Sequence, residues 1–486
     1  MMVLEKVAPL EQRRGMTIEE TPLGSPEDYF DDNHFKASRF AKDLVEAFTL
    51  VTIEETNEIY GWNGGCYEGG ASGENSIKAM LPGILGDKLL KISQHGMNEV
   101  MAHVRLRSYR PYSVFESNLD QLPLKNGVLS IKTGELESYG NLKHFFLFQL
   151  PVDHDPTADC PAFKDFVSEI VYPADVPLVQ EIFGYCLWRD GMATLKKAII
   201  LLGAGDNGKS LLLSVLVSLL GERTVSAVSL SNLAENRFAS ARLRGKLANV
   251  HPDLPDKALR DTGQFKGLVG DDIMPFEIKH GGIGEFRNRA KLIFSANKLP
   301  DAQDDSDGYY TRWVIVNFPY EFVRGKKELS EIERSQKDKS QLKASFTNEL
   351  SGILNWSLEG LRRLQTNGCF TNEISTDKMR ELYVKLANSL KAFIIDKCVV
   401  TGKLDDYLSR DNFYQHYIVY CQDRKLAAFT KTKVGRTVTD YYPDQVTKGR
   451  DFIRGERPTT WRGIRLKKEE EASDDNQQKL LEGDSL

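Results

Sequence analysis

The first third of the chain mixes helical and strand periods in its apolar positions. Apolar residues fall at helical spacing over 35–50, and "IYGWNGGCYEGG" (59–70) follows with the alternation of a hairpin around an Asn-Gly turn. Alternating strands are also expected in "PLKNGVLSIKTGELESYG" (123–140). A turn-rich segment ends this pattern, so residues 35–160 are predicted to form an N-terminal α+β domain.

The middle of the chain alternates strand-like and helix-like apolar runs. "KAIILL" (197–202) reads as a strand, and "SLLLSVLVSLLG" (210–221) reads as the helix that follows it. Further apolar strands are expected in "GKLANV" (245–250) and "AKLIFSAN" (290–297). This alternation predicts an α/β core over residues 161–323.

The remaining segments differ from this core in composition. Residues 324–388 begin with a mixed charge run and then regain helical spacing, which predicts a charged connection and a helical segment. Residues 389–468 read as three short helices and a basic strand–turn–strand, the order of a winged helix. Residues 1–34 are predicted to be a flexible lead-in, and residues 469–486 a disordered acidic tail.

Composition narrows the class of protein. The 486 residues are 41% hydrophobic and 27% charged, the balance of a soluble globular protein with several domains. The six cysteines lack zinc-site spacing and read as reduced residues. No apolar stretch has the length of a signal peptide or a membrane span, so we expect a cytoplasmic protein without a membrane partner.

Candidate chemistry begins with "GAGDNGKS" (203–210), which fits the pattern G-x-x-x-x-G-K-[ST] between a strand and a helix. Glycines let backbone N–H groups approach phosphates, and the following helix directs its positive end towards them. We expect the loop to bind ATP, with Lys209 on the β- and γ-phosphates and Ser210 on Mg²⁺. The predicted nucleotide-binding residues are Gly203, Ala204, Gly205, Asp206, Asn207, Gly208, Lys209 and Ser210.

Two polar residues at strand ends complete the predicted nucleotide site. An enzyme with such a loop needs a carboxylate that holds the metal and orients the attacking water. Asp253 follows the apolar strand that ends at Val250 and is predicted to be this acid and a second Mg²⁺ ligand. Asn297 ends another apolar strand and is predicted to sense the γ-phosphate.

Five segments between residues 203 and 319 are similar, in order, to the motifs of a known family. "GAGDNGKS", "GKLANVHPD", "FKGLVGDDIMPFEIKHGG", "AKLIFSANKLP" and "DGYYTRWVIVNFP" resemble the successive motifs of superfamily 3 helicases, in the form of phage and plasmid primase-helicases and poxvirus-type NTPases. The resemblance extends over roughly residues 35–323. It implies an AAA+-like P-loop NTPase core and an ATP-driven DNA helicase.

The resemblance also implies a role for each matching residue. Lys209 and Ser210 would bind the ATP phosphates and Mg²⁺, Asp253 would be the Walker B acid and Asn297 the sensor of motif C. The family often carries Glu where this chain has Asp253, so the sequence leaves open whether Asp253 activates water alone. Arg312 matches an arginine that projects into the ATP site of a neighbouring subunit, which implies a homo-oligomer that is expected to be a hexameric ring.

The segment "DIMPFEIKHGGIGEF" (272–286) reads as strand, turn and strand with cations at its tip. In the family such a hairpin enters the channel of the ring and grips single-stranded DNA. Lys279 and His280 are therefore predicted to contact phosphates, which requires no base sequence. Lys266 is a further DNA-binding candidate.

A basic region near the C-terminus predicts a second nucleic-acid surface. The formal net charge of the chain is −5, yet residues 425–468 contain twelve Lys or Arg and four Asp or Glu. In a winged helix the third helix enters the major groove and the wing lies on the backbone. The predicted DNA-binding residues here are Lys431, Lys433, Arg436, Arg454, Arg457 and Arg462.

Three functions fit these observations. The first is a ring helicase that translocates on single-stranded or forked DNA during replication of a virus, plasmid or integrated element. The others are an initiator that uses ATP only to assemble on DNA, and a P-loop kinase. The D-x-D of "VDHDP" (152–156) has the spacing of a carboxylate pair, but the segment reads as a linker, so a separate primase or polymerase is the expected partner.

Overall fold

The structure is a computed structural model that describes residues 23–468 except 33, 71, 140–144, 237, 253, 255–261, 278–282, 301–303, 305, 324–328, 332, 336, 425, 427 and 452–456. The predicted acidic tail and the first 22 residues of the predicted lead-in therefore lie outside the described residues. The chain divides into two compact units. The first holds the described residues of 1–254, 261–297 and 312–373, and the second holds those of 298–311 and 374–486.

In the described residues of its N-terminal part, the first unit has three α-helices and nine short strands. They are β1 (Phe30–Asp31), β2 (His34–Phe35), α1 (Ala37–Ala47), β3 (Val51–Ile53), β4 (Ile59–Trp62), β5 (Tyr67–Gly70), α2 (Gly73–Leu85), α3 (Gln94–Ser108), β6 (Tyr109–Arg110), β7 (Gln121–Leu124), β8 (Gly127–Ser130) and β9 (Leu136–Glu137). These strands form three sheets, with strand orders β1-β2, β5-β4-β3-β6 and β7-β8-β9. The expected hairpin over 59–70 is present as the antiparallel pair β4–β5.

The sequence predicted a flexible lead-in up to residue 34, but the folded part of the chain begins earlier. Tyr29 is fully buried, and its ring lies 4.7 Å from the ring of Phe40 on α1. Its hydroxyl donates to Asp43 Oδ2 at 3.0 Å. A buried aromatic side chain with a satisfied hydroxyl holds this segment on α1.

The central part of the first unit follows as alternating helices and strands. The elements are α4 (Pro161–Ile170), α5 (Val176–Leu187), α6 (Gly191–Leu195), β10 (Ala198–Leu202), α7 (Lys209–Leu220), β11 (Val225–Ser226), α8 (Leu230–Glu235), β12 (Ala248–His251), α9 (Gly263–Gly270), β13 (Ile273–Glu277), β14 (Ile283–Arg287), β15 (Lys291–Ala296), α10 (Asp307–Tyr310, in the second unit), β16 (Trp313–Asn317), β17 (Glu321–Val323), β18 (Glu333–Ser335), α11 (Lys339–Asn348) and α12 (Leu350–Asn367).

A five-stranded parallel sheet organises this part, in the order β11-β12-β15-β10-β16. All five residues of β10 and all six residues of β15 are buried. Strands that read as uninterrupted apolar runs are typical of parallel sheets covered on both faces. The α/β class expected from the sequence is therefore confirmed.

The predicted boundary at residue 160 does not divide the chain into separate units. One apolar cluster combines Leu122 and Leu129 of the N-terminal sheet with Phe163 of α4 and Leu219 of α7. Because these side chains exclude water together, the N-terminal elements and the parallel sheet share a core.

The helical segment after the charge run belongs to the first unit only up to residue 373. Helix α12 packs on α5, and glycines allow their backbones to approach closely. A β-carbon at Gly184 would lie 2.5 Å from Ser357 O, and one at Gly360 would lie 2.5 Å from Gln180 O. Arg363 Nε donates to Glu181 Oε1 at 2.6 Å, and the Glu181 side chain is fully buried.

The second unit contains the C-terminal elements. They are α13 (Thr376–Ala387), α14 (Ser389–Lys397), β19 (Cys398–Val400), β20 (Tyr407–Ser409), α15 (Arg410–Asp423), α16 (Lys431–Tyr441), β21 (Thr447–Arg450), β22 (Thr459–Arg462) and β23 (Ile464–Leu466). The three expected helices are α14, α15 and α16, and the expected basic hairpin is β21–β22, which β20 extends to three strands. Phe393, Phe413 and Trp461 join these elements in a second core. Among the described residues, no helix is long and apolar enough to cross a membrane.

Candidate functional site

The loop from Gly203 to Gly208 joins the carboxyl end of β10 to the first residue of α7. It turns sharply, since Asp206 and Gly208 have φ angles of 50° and 86°. Gly203 allows close packing, because a β-carbon there would lie 2.7 Å from Phe318 O. The N-terminus of α7 thus follows the loop directly, as a phosphate site requires.

Lys209 is folded back onto this loop. Its Nζ donates to Gly203 O at 2.6 Å, Ala204 O at 2.9 Å and Asn207 Oδ1 at 2.9 Å. The side chain is only 5% exposed, and burial lowers the pKa of Lys209 to about 8. The loop therefore holds a buried cation on oxygen acceptors, and a phosphate oxygen could replace these acceptors.

A cavity of about 630 Å³ opens in front of the loop. It lies at the carboxyl ends of β10, β12 and β15, the edge at which open α/β sheets bind ligands. Its lining includes the predicted loop residues Ala204–Ser210, together with Phe166, Glu169, Leu211, Ser214, Pro252, Ser295, Asn297, Phe322, Lys337, Lys339, Ser340, Leu342 and Lys343. The fold thus brings Asn297 to the same cavity as Lys209 and Ser210.

The predicted acid, Asp253, lies outside the described residues. Its two neighbours are described: Pro252 lines the cavity, and the Leu254 N–H donates to Ser295 O at 2.8 Å. Ser295 also lines the cavity. The described residues on either side of position 253 therefore either line this cavity or bond to a residue that does.

Three lysines at or near the start of α11 also line the cavity, and the sequence did not predict them as site residues. Lys339 Nζ lies 3.6 Å from Asp206 Oδ1 of the loop, and Lys337 Nζ lies 2.6 Å from Glu169 Oε1 of α4. Lys343 lies one helical turn after Lys339. The sequence predicted only a charged connection here, because nothing local relates this charge run to a loop about 130 residues earlier. Its lysine spacing before a predicted helix was the available signal.

The strands β13 and β14 form the antiparallel hairpin that the sequence predicted, with Ile273 opposite Arg287 and Glu277 opposite Ile283. Phe276 is buried on one face, whereas Ile283 is 73% exposed on the other. Lys279 and His280, the predicted cations of the tip, lie outside the described residues. Lys266 lies half-buried on α9, which precedes this hairpin.

Arg312 lies at the amino end of the sheet, immediately before β16. Its carbonyl accepts from the Ala198 N–H at 2.7 Å. A β-carbon at Gly270 would lie 3.2 Å from Arg312 Nη2. Burial lowers the pKa of Arg312, and the charge of Asp272 opposes this shift. The structure therefore does not bring Arg312 to the loop of its own chain.

The predicted DNA-binding residues of the second unit differ in their surroundings. Lys431 pairs with Asp411 at 2.7 Å, and the Lys433 ammonium lies 3.6 Å from the centre of the Phe429 ring. Arg436 and Arg457 are exposed, and Arg454 lies outside the described residues.

Arg462 differs from the other predicted DNA-binding residues, because its guanidinium is engaged within its own hairpin. Its Nη2 lies 2.7 Å from Asp451 Oδ1, and its Nε donates to Asp451 Oδ2 at 3.1 Å. The bond from Arg462 lowers the pKa of the Asp451 carboxyl. A bidentate pair of this kind fixes a guanidinium in place, so Arg462 braces the hairpin.

Comparisons with known proteins give two partial family matches. Residues 91–171 match the family described as "D5 N terminal like", and residues 201–312 match a family of unknown function, DUF5906. The second match runs from the end of β10 to Arg312. The first supports a protein of the phage primase-helicase type with a role in DNA replication. No curated protein matches the chain.

Solved structures of the C-terminal region of NrS-1 are among those that match this chain. The apo structure is 13% identical and covers 89% of this chain and 100% of its own, with a TM-score of 0.49. An A-form apo structure of the same region is 12% identical and covers 87% and 98%, with a TM-score of 0.46.

Proposed function

We propose that this protein is an ATP-dependent DNA helicase for the replication of a virus, plasmid or integrated element. In this proposal the first unit is an AAA+-like P-loop motor, and the second unit is a winged helix that binds DNA. The observation that carries the proposal is the shared cavity of Lys209, Ser210 and Asn297 at the carboxyl edge of a parallel sheet.

The residues at this cavity fit a nucleoside triphosphate and Mg²⁺. Lys209 is a buried cation whose present partners are two loop carbonyls and one amide oxygen, so it is suited to take phosphate oxygens instead. The hydroxyl of Ser210 at the start of α7 and the predicted carboxylate of Asp253 are oxygen ligands of the kind Mg²⁺ prefers. The bound metal would neutralise charge that develops on the phosphates.

Hydrolysis would require an arginine from a second copy of the chain. Arg312 lies at the amino ends of the strands, opposite to the loop, because its carbonyl accepts a hydrogen bond from the Ala198 N–H. A guanidinium donated between subunits accelerates phosphoryl transfer by roughly 10³- to 10⁵-fold in known cases. Arg312 in such a role supports a ring of identical subunits, which we propose is a hexamer.

The proposed DNA contacts are of two kinds. Lys279 and His280 at the hairpin tip, and Lys266 near its base, would hold single-stranded DNA by its phosphates. The basic surface of α16 and the β21–β22 hairpin would bind DNA independently of the motor. Phosphate contacts that form and break with each ATP would produce movement along one strand.

Strand displacement on a forked DNA tests this proposal. The full-length protein with ATP and Mg²⁺ should hydrolyse ATP faster when DNA is present and should separate the strands. Lys209→Ala should do neither. Hydrolysis stimulated by DNA without strand separation would favour an initiator, and hydrolysis that depends on a small acceptor would favour a kinase; either result would overturn the helicase assignment.

A further inference from the structure

The second unit contains a basic cavity that the motor does not use. It has a volume of about 520 Å³ and lies between the first turns of α15 and α16 and the β21–β22 hairpin. Four cations line it, namely Arg410, Lys431, Arg436 and Lys448, against the single carboxylate of Asp411. Since Asp411 pairs with Lys431 at 2.7 Å, the other three cations set the charge of the cavity.

Arg410 is held in place by two features of the surrounding structure. Its guanidinium carbon lies 5.1 Å from the centre of the Trp461 ring, and Trp461 is 1% exposed. On its other side the guanidinium passes over Gly435 of α16, where a β-carbon would collide with Arg410 Nη2. Stacking on an indole restricts the rotamers of an arginine, so its charge is oriented before any ligand binds.

The cations of the cavity are available to an anion. Among the described residues, Arg410, Arg436 and Lys448 have no carboxylate within ion-pair distance. Lys448 lies directly opposite Trp461 in the β21–β22 register, so it stands beside the ring that carries Arg410. Three unpaired cations around one cavity repel one another and favour a ligand with multiple negative charges.

Two helix N-termini add to this potential. Arg410 is the first residue of the 14-residue helix α15, and Lys431 is the first residue of the 11-residue helix α16. The caps Ser409 and Thr430 each accept one backbone N–H, from Asn412 and Lys433, and the remaining N–H groups of a first turn have no intrahelical acceptor. Both positive helix ends therefore support anion binding at the cavity.

We propose that this cavity binds a phosphate group of a nucleic-acid strand, with Arg410, Arg436 and Lys448 as its ligands. The inference deepens the proposed function, because it names the residues by which the second unit would hold DNA. Arg410 and Lys448 lie outside the set that the sequence predicted. A free nucleotide offers the same phosphate chemistry, so the experiment must distinguish the two sources.

The test measures the affinity of the full-length protein for fluorescent duplex DNA, without ATP, at several salt concentrations. Arg410→Ala/Lys448→Ala should weaken binding roughly tenfold and reduce the slope of log affinity against log salt by about 1, because one phosphate contact fewer releases fewer counterions. The control Lys403→Ala/Arg424→Ala removes the same charge from the second unit away from the cavity and should change neither value.

The variant Lys448→Glu and a fluorescent nucleotide as a second ligand test whether the cavity binds DNA, a nucleotide or neither. Lys448→Glu changes an exposed side chain, so it tests the cavity without removing the packing of Arg410 on Trp461. If Lys448→Glu leaves DNA binding unchanged while Lys433→Ala/Arg457→Ala weakens it, the cavity assignment is overturned and DNA binding by the unit survives. If Lys448→Glu weakens the binding of a fluorescent nucleotide in the Lys209→Ala background but not that of DNA, the ligand is a nucleotide. If the unaltered protein binds no DNA, the proposed function itself fails.

Discussion

Arg312 and Gly203 lie at opposite ends of the strands of the same parallel sheet. The Arg312 carbonyl accepts from Ala198 at the amino end of β10, and Gly203 follows the carboxyl end of that strand. The five residues of β10, at about 3.3 Å each, separate these two ends by roughly 16 Å. A role for Arg312 in hydrolysis therefore requires a second copy of the chain, and this requirement makes the proposed motor testable.

Separate variants should divide hydrolysis from DNA movement. Lys209→Ala should abolish ATP hydrolysis, because the loop loses the cation that reaches the phosphates. Lys279→Ala should keep basal hydrolysis and lose strand displacement, since its predicted role is to hold DNA. Hydrolysis and displacement are measured on the same samples. Equal loss of both activities in Lys279→Ala would contradict the predicted contact with DNA.

Nucleotide binding should weaken as pH rises through the pKa of Lys209. Burial lowers this pKa to about 8, so the ammonium that binds phosphate is present below pH 8 and is lost above it. The affinity for ATP should fall about tenfold between pH 7 and pH 9. Titration with a fluorescent ATP analogue at both values measures this.

Lys209→Arg is the matched control for this titration. Arginine keeps its charge over this range, so any residual binding by Lys209→Arg should be independent of pH. A parallel decline in both proteins would assign the pH dependence to another group.

The lysines of α11 should contribute to nucleotide affinity. Lys343→Ala should raise the dissociation constant for ATP about two- to fivefold, the effect of one solvent-screened charge. Lys132→Ala is the control, because Lys132 is exposed in the N-terminal part and pairs with Asp120. Calorimetric titration of the three proteins with ATP makes the comparison. An unchanged affinity in Lys343→Ala would remove α11 from the site.

The contact of Arg363 with Glu181 should stabilise the packing of α12 on α5. Arg363→Ala leaves a fully buried carboxylate with only the donors of Thr371, so the free energy of unfolding should fall by about 3 kcal/mol. Arg362→Ala removes an exposed arginine from the preceding position of α12 and should change the free energy of unfolding by less than about 0.5 kcal/mol. Chemical unfolding compares them, and equal effects would mean that the buried pair contributes nothing specific.

The sequence predicted those parts of the candidate site that depend on residues close together in the chain. The Gly203–Ser210 loop and Asn297 follow from strand ends and spacing, and the structure brings both to one cavity. The approach of Lys339 to Asp206 could not be predicted, because it depends on how α11 packs on elements that are distant in the sequence. The ion pair between Arg462 and Asp451 could not be predicted, because these side chains face each other only once the hairpin forms.

The domain boundary at residue 160 illustrates a further limit of the sequence. The apolar residues of β7 and β8 indicated a sheet, but not which surface would cover it. In the structure Leu122 and Leu129 share a core with Phe163. The partner of an apolar face is set by tertiary packing, which a turn-rich segment does not reveal.

The most direct test of the central claim, a motor whose nucleotide sites are completed between copies, is ATP hydrolysis by an equimolar mixture of Lys209→Ala and Arg312→Ala. Each variant alone should be inactive, one without its loop cation and the other without its donated arginine. In mixed rings, roughly a quarter of the interfaces would pair an intact loop with an intact arginine, so the mixture should regain activity. If mass measurement shows mixed oligomers and hydrolysis stays at the level of the separate variants, Arg312 does not act between copies and the account is wrong.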